Sequence, residues 1–268
     1  MRVAAILTAA GSGSRLGHAL PKALVPAGDD ALVVHAARNL AASGVVDEIV
    51  VTVPRTHLAA FASAMTHADL HGVPVRLAVG AGTRQASVAA GLAELGPDVD
   101  VVLVHDAARA FAPPALVRRV ADAVREGHRA VVPGVPLADT VVQVDEDGDV
   151  HGVDRATLRV VQTPQGFDRA LLDRAHARAA ARAQDDATAA TDDASLCARL
   201  GEPVTLVEGA DAAVKITTPR DLALAQVLAA EASAAAQVAP APADGAPPTD
   251  GAAPTDEATP AVDRAVAR

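Results

Sequence analysis

The feature that most constrains this chain is the alternation of short apolar runs with helix-like stretches, from the first residues to about Leu228. Val3-Ala4-Ala5-Ile6-Leu7 reads as a buried strand. Further strands are expected over residues 48–53, 73–79, 99–104 and 130–135, with helices over 33–43, 87–95 and 113–126. Strands separated by helices demand right-handed crossovers, and so a mostly parallel sheet covered on both faces. The 268 residues suffice for one large α/β domain or two small ones.

The interior must be filled by Ala, Val and Leu, because half of the residues are hydrophobic but only 1% are aromatic. Without aromatic platforms, and with a net charge of -10, the chain is a poor nucleic-acid binder. No apolar run reaches membrane-spanning length, and the amino terminus has no export pattern. The single cysteine, Cys197, excludes an intrachain disulfide and reads as a small buried hydrophobe. A cytoplasmic location is therefore expected.

The alternation breaks over residues 137–161. Residues 140–144 and 150–153 alternate polar with apolar around an acidic turn, Asp145-Glu146-Asp147-Gly148-Asp149, which predicts an antiparallel hairpin. Such a hairpin has few neighbours to bury it, so it serves as a lid or as an arm clasping a second subunit. Downstream, Thr191-Asp192-Asp193 caps a helix ending at Gly201, and Thr218-Pro219-Arg220-Asp221 opens the last helix. From about Glu231 the composition turns to Ala, Pro, Gly, Thr and Asp. Residues 1–230 are thus expected to form the domain, and 231–268 a disordered solvating tail or a tether.

Two segments carry chemistry. The first strand runs into Thr8-Ala9-Ala10-Gly11-Ser12-Gly13-Ser14-Arg15, a turn of small residues whose backbone N–H groups can approach a phosphate, with Pro21-Lys22 just beyond. Arg15 and Lys22 place two cations beside that turn, which points to a nucleoside triphosphate. The spacing matches neither a Walker A loop nor a dinucleotide fingerprint. The second segment is Val101-Val102-Leu103-Val104-His105-Asp106-Ala107-Ala108-Arg109. Asp106 falls at the carboxyl end of a central strand, where open α/β sheets bind ligands. It can hold a magnesium ion facing the phosphate loop, or act as a helix cap or a partner of Arg109. His105 is the more structural of the two, since magnesium prefers oxygen. Lys215 is expected to close a short apolar strand, where a buried ammonium needs a phosphate or a carboxylate partner.

These elements occur in an ordered series: Gly11…Arg15…Pro21-Lys22, His105-Asp106-Ala107-Ala108-Arg109, Ala138-Asp139-Thr140, Val153-Asp154-Arg155, Gln162-Thr163-Pro164-Gln165-Gly166-Phe167, Thr191-Asp192-Asp193-Ala194-Ser195 and Lys215-Ile216-Thr217. The series resembles the 2-C-methyl-D-erythritol 4-phosphate cytidylyltransferases over residues 1–230. The resemblance implies a Rossmann-like three-layer nucleotidyltransferase domain with a mostly parallel sheet and a protruding β-hairpin arm. It implies transfer of CMP from CTP to 2-C-methyl-D-erythritol 4-phosphate, with release of pyrophosphate, in non-mevalonate isoprenoid biosynthesis. It further implies Mg2+ or another divalent cation, and a homodimer through the arm. By the same resemblance Arg15, Lys22 and Lys215 are catalytic, and Ala9, Ala10, Gly11, Gly13, Ala81, Gly82, Ser87 and Ala107 bind nucleotide. Asp106, Arg109, Thr140, Arg155 and Thr163 would bind the acceptor, Asp106 also serving the metal. Thr8, Ala81, Ala86 and Ala110 depart from the family's usual residues; Ala81 replaces a Gly, which its backbone tolerates if φ stays negative. The alternatives are a cytidylyltransferase for ribitol 5-phosphate or another sugar phosphate, or a non-catalytic nucleotide-sensing module.

Overall fold

The computed structural model describes residues 1–11, 20–185 and 187–238. The amino-terminal half contains β1 (Val3–Thr8), β2 (Pro26–Ala27), β3 (Asp30–Ala31), α1 (Leu32–Ala42), β4 (Glu48–Val53), α2 (Leu58–Thr66), β5 (Val75–Val79), α3 (Arg84–Ala93), β6 (Val101–Asp106) and α4 (Pro114–Arg125). The second half adds β7 (Ala130–Pro136), β8 (Val142–Val144), β9 (Val150–Gly152), β10 (Arg159–Val161), β11 (Gln165–Asp168), α5 (Arg169–Ala179), α6 (Asp193–Ala198), β12 (Thr205–Glu208) and α7 (Pro219–Val238).

The main sheet runs β10-β7-β11-β6-β1-β4-β5, with β12 pairing β7. The pairs β1–β4, β1–β6, β4–β5 and β12–β7 are parallel, whereas β10 and β11 run antiparallel to their neighbours. The mostly parallel sheet is thus present, with two reversed strands that no apolar run foretold. Its core divides by the two-residue period of the strands. Val3, Ala5 and Leu7 pack with α1, α2 and α4 on one face, while Ala4 and Ile6 pack with α3, α5 and α6 on the other. Gly91 in α3 permits that second layer, because a Cβ there would lie 2.7 Å from Ile6 Cγ2. Cys197 belongs to the same layer, fully buried, and burial pushes its thiol up to about 12, so it packs as a hydrophobe. A third cluster seats α7 against Leu32, Phe111 and Ile216.

Three details differ from the sequence reading. Helix α3 begins at Arg84 rather than 87, because Thr83 caps it by accepting from Ala86 N–H at 3.0 Å. Residues 214–217 form no strand; Ile216 N–H bonds Ala108 O at 2.8 Å and Thr217 N–H bonds Asp221 Oδ2 at 2.8 Å. Helix α7 runs on to Val238, past the composition change at Glu231, and residues 239–268 lie outside the described residues. Among the described residues, no helix is long and apolar enough to cross a membrane. The hairpin forms as expected, with β8 and β9 in a two-stranded ribbon separate from the main sheet.

Candidate active site

The site is built where β1 and β6 end side by side. Their parallel register pairs Thr8 with Asp106, so the loops leaving both strands open on the same edge. Ala9 N–H is held by Thr52 O at 2.9 Å and Ala107 N–H by Thr8 O at 3.1 Å. The loop leaving β5 closes the third side. There Ser87 Oγ accepts from Ala81 N–H at 3.0 Å and donates to Thr83 O at 2.8 Å, folding residues 80–83 onto the first turn of α3. Gly80 allows this approach, since a Cβ at that position would meet Ala10 Cβ at 2.5 Å. Ala81 has no positive φ, so the residue that replaces a glycine is unstrained.

The result is a cleft of about 330 Å³, within the range of small-molecule sites. Ala9, Ala10, Gly11, Lys22, Ala81, Gly82, Ser87, Asp106, Ala107 and Lys215, all singled out from the sequence, line it together. Gly13 and Arg15 lie outside the described residues. Arg109, Thr140, Arg155 and Thr163 do not line the cleft. Arg109 is buried, and its two terminal nitrogens donate to Ala213 O at 2.7 Å and Val161 O at 3.1 Å. It thereby fastens β10 and the segment leading to Lys215. Thr163, also buried, accepts from Asp106 N–H at 3.0 Å, and its hydroxyl pairs with His105 Nδ1 at 2.9 Å. Burial holds His105 down at about 4, so the imidazole is neutral and structural, as its sequence position suggested. Thr140 and Arg155 are exposed on and beside the hairpin arm, and Arg155 donates to Ala138 O at 2.6 Å.

The electrostatic centre is Asp106. Its Oδ2 accepts from Lys215 Nζ at 2.8 Å and its Oδ1 from Arg84 Nε at 3.0 Å, with Thr8 Oγ1 at 3.3 Å. Burial by itself would raise this carboxyl, but Arg84 and then Lys215 outweigh it and hold it far below the usual carboxylate range. Lys215 is not the buried, strand-borne ammonium expected from its neighbours: its side chain is 42% exposed, and its partner is a carboxylate. Arg84 has no role in the sequence reading, yet it bridges Asp106 and Asp193, donating to Asp193 Oδ2 at 2.6 Å. Asp193 is buried and also accepts from His176 Nε2 at 2.8 Å. The sequence signal lay in the cap: Asp192 caps α6 by accepting from Ser195 N–H at 3.0 Å, which leaves Asp193 to face inward.

Asp106 does not fit a protein-held magnesium ion. Both its oxygens already face cations, and among the described residues no three His, Cys, Asp or Glu side chains converge as ligands. The sequence expectation of a metal on Asp106 gives way to an ion pair. What the cleft offers instead is backbone amides from small-residue loops together with ammonium and guanidinium groups, a setting for phosphate anions.

Known proteins share this architecture and sequence. The family profile described as 2-C-methyl-D-erythritol 4-phosphate cytidylyltransferase matches residues 3–231. The enzyme of that name from Nocardia farcinica is 49% identical over 227 residues, covering 84% of this chain and 93% of its own. Its counterpart from Saccharopolyspora erythraea is 48% identical over 236 residues, covering 86% of this chain and 100% of its own. The crystal structure of the Thermus thermophilus enzyme superposes with a TM-score of 0.67 at 38% identity, over 86% of this chain and 100% of that one. A 4-diphosphocytidyl-2C-methyl-D-erythritol synthase from Anaerococcus prevotii reaches a TM-score of 0.73 at 26% identity, over 85% and 98%. The chain belongs to the 2-C-methyl-D-erythritol 4-phosphate cytidylyltransferase family.

Proposed function

We propose that the cleft at the carboxyl ends of β1 and β6 transfers CMP from CTP to 2-C-methyl-D-erythritol 4-phosphate, releasing pyrophosphate. The observation that carries this reading is the convergence of Lys22, Lys215 and Asp106 with the loops around Ala10 and Ala81 on one cavity. Family membership agrees with it.

The acceptor's phosphate is itself the nucleophile. It is anionic at neutral pH, so no side-chain nucleophile or strong base is needed; its oxygen bonds to the α-phosphorus of CTP as the bond to pyrophosphate breaks. The barrier lies in bringing anions together and in the charge gathering on the α-phosphate. Lys22, Lys215 and Arg15 are assigned to that charge. Lys215 suits the task because its ammonium has three donors, and Asp106 engages one of them. The backbone at Ala9, Ala10, Gly11, Gly13, Ala81, Gly82 and Ala107, with Ser87 bracing the 80–83 loop, is assigned to the nucleotide. The divalent cation is assigned to the nucleotide's own phosphate oxygens and enters with the substrate, as magnesium retains water and phosphate ligands.

Arg109 and Thr163 frame the acceptor side through the bonds described above. Thr140 and Arg155 are assigned to the acceptor site of a second copy. Both sit on the arm whose Val142, Val144 and Val150 are 46%, 59% and 65% exposed, an apolar surface suited to a homodimer contact. A pyrophosphate-release assay over four nucleotides and several polyol phosphates tests the whole reading. Turnover is expected with CTP and methylerythritol phosphate; preference for ribitol 5-phosphate would transfer the assignment to that acceptor, and no release with any pair would overturn it.

A further inference from the structure

The chain has two lysines, and both line the cleft. The backbone around Lys215 is anchored by the buried Ile216, whose N–H bonds Ala108 O at 2.8 Å, but its side chain reaches out from that anchor. Its segment belongs to no helix or strand, and its side chain is 42% exposed. Among the described residues, the place of its ammonium is set by the one carboxylate it meets, Asp106 Oδ2 at 2.8 Å. That carboxylate would in turn be free to rotate, were its other oxygen not met by Arg84 Nε at 3.0 Å.

Arg84 is itself restrained from behind. It stands on the first turn of α3, and its Nη1 donates to Asp193 Oδ2 at 2.6 Å. Asp193 is 1% exposed, and its second oxygen meets His176 Nε2 at 2.8 Å. The His176 Nδ1 is buried and has no hydrogen-bond partner. The Nε2 edge of His176 is therefore the one that anchors Asp193. The row sets two carboxylates, Asp106 and Asp193, against one guanidinium and one ammonium. Only a planar fork can span two carboxylates in this manner; a lysine at position 84 has a single ammonium to offer.

We propose that Arg84, anchored by Asp193 and His176, is a positioning residue that fixes the Asp106 carboxylate and through it aims the Lys215 ammonium into the cleft. The proposal rests on the functional reading above and deepens it. Arg84 acts as the middle member of a strut that links α6, α3 and the end of β6 to the exposed side chain of Lys215.

The test uses the full chain, with Arg84→Lys, Asp193→Asn and the double variant. Turnover of CTP with methylerythritol phosphate is measured together with thermal unfolding. Arg84→Lys is expected to lower kcat by about 10- to 100-fold, as misplacing a supported catalytic group does. KM for CTP should shift by less than about threefold, because uniform binding is retained. The double variant should be no slower than the slower single one, since the two residues serve one strut. A second readout does not depend on activity: acetylation of Lys215 by an amine-specific reagent, followed by peptide mass mapping. In Asp193→Asn the guanidinium turns wholly to Asp106 and displaces Lys215, so Lys215 should label several-fold faster than in the unaltered chain.

Wild-type kcat in Arg84→Lys, an unchanged Lys215 labelling rate in Asp193→Asn, or additive losses that track the unfolding temperature would each overturn the strut. Asp193→Asn keeps the side-chain shape and decides the matter if Arg84→Lys does not fold. Failure of the unaltered chain to release pyrophosphate would count against the functional reading alone, and the labelling comparison would still decide the strut.

Discussion

The cleft and the hairpin arm are opposite solutions within one chain. At the cleft, every charged group described has a partner, and Asp106 and Asp193 are almost wholly shielded from solvent by Arg84 and the surrounding loops. On the arm, β8 and β9 bond only to each other, and three of their valines face solvent. The cleft holds its geometry without help, because buried ion pairs with good hydrogen bonds resist rearrangement. A two-stranded ribbon with exposed apolar residues lacks that support and invites another surface to cover it. The contrast between an internally partnered anion site and an uncovered apolar arm is what the proposed second copy would resolve.

Four perturbations would break or sharpen that contrast, taken from the largest expected effect downward. Asp193→Ala leaves the Arg84 guanidinium facing one carboxylate in place of two, and should cost about 3–5 kcal/mol of folding stability, read by urea denaturation. A loss below about 1 kcal/mol would mean that the cleft is no more rigid than the surface. Next, Lys22→Ala should lower kcat by about 100- to 1000-fold, as removal of one transition-state donor does, with folding stability nearly unchanged. Near-normal turnover would remove Lys22 from the catalytic set.

The third is a pH effect. Burial holds His105 down at about 4 in the folded protein, whereas the unfolded chain takes up its proton near the ordinary value of about 6.5. The folded state therefore binds fewer protons between these limits. Its contribution is complete above about pH 6.5 and is lost as pH falls toward 4, amounting to about 3 kcal/mol. His105→Asn, which keeps a polar partner for the Thr163 hydroxyl, should flatten the stability profile across that window; an unchanged slope would place the effect elsewhere. The depressed Asp106 and Asp193 carboxyls add a further loss only below the ordinary carboxylate range near about 3.9.

The smallest effect on folding belongs to the arm. Val142→Asp with Val150→Asp should alter the stability of a single copy by no more than about 0.5 kcal/mol, as expected for exposed positions. The same pair should abolish the dimer in sedimentation analysis and, with it, acceptor binding. A dimer that survives the two charges would assign the arm a different role.

Much of the fold was legible from the chain because its main strands are continuous apolar runs. The expected strand over 48–53 coincides with β4, and the helix over 113–126 lies within one residue of α4 at each end. Strand β11 was not legible, since Gln165-Gly166-Phe167-Asp168 has neither an apolar run nor clean alternation. It is a strand because it fills the gap between β6 and β7, where a Cβ on Gly166 would meet Val120 at 2.7 Å and Val124 at 2.9 Å. Helices α2 and α5 also went unanticipated, Leu58–Thr66 being short and Arg169–Ala179 rich in charge.

The site divides along the same line. Lys22, Asp106, Lys215 and the small-residue loops could be placed from sequence, since each lies at or beside the end of an apolar run. What the linear order determined was which residues are available at the sheet's carboxyl edge: backbone period and turn chemistry act over a few neighbours, and both can be read in one dimension. Tertiary structure alone decided which of them touch. Arg84 lies 22 residues from Asp106 and 109 from Asp193, and Lys215 lies 109 from Asp106. Such pairings exist only once the sheet has brought its loops to one edge, where burial strips away water and makes each charge find a partner.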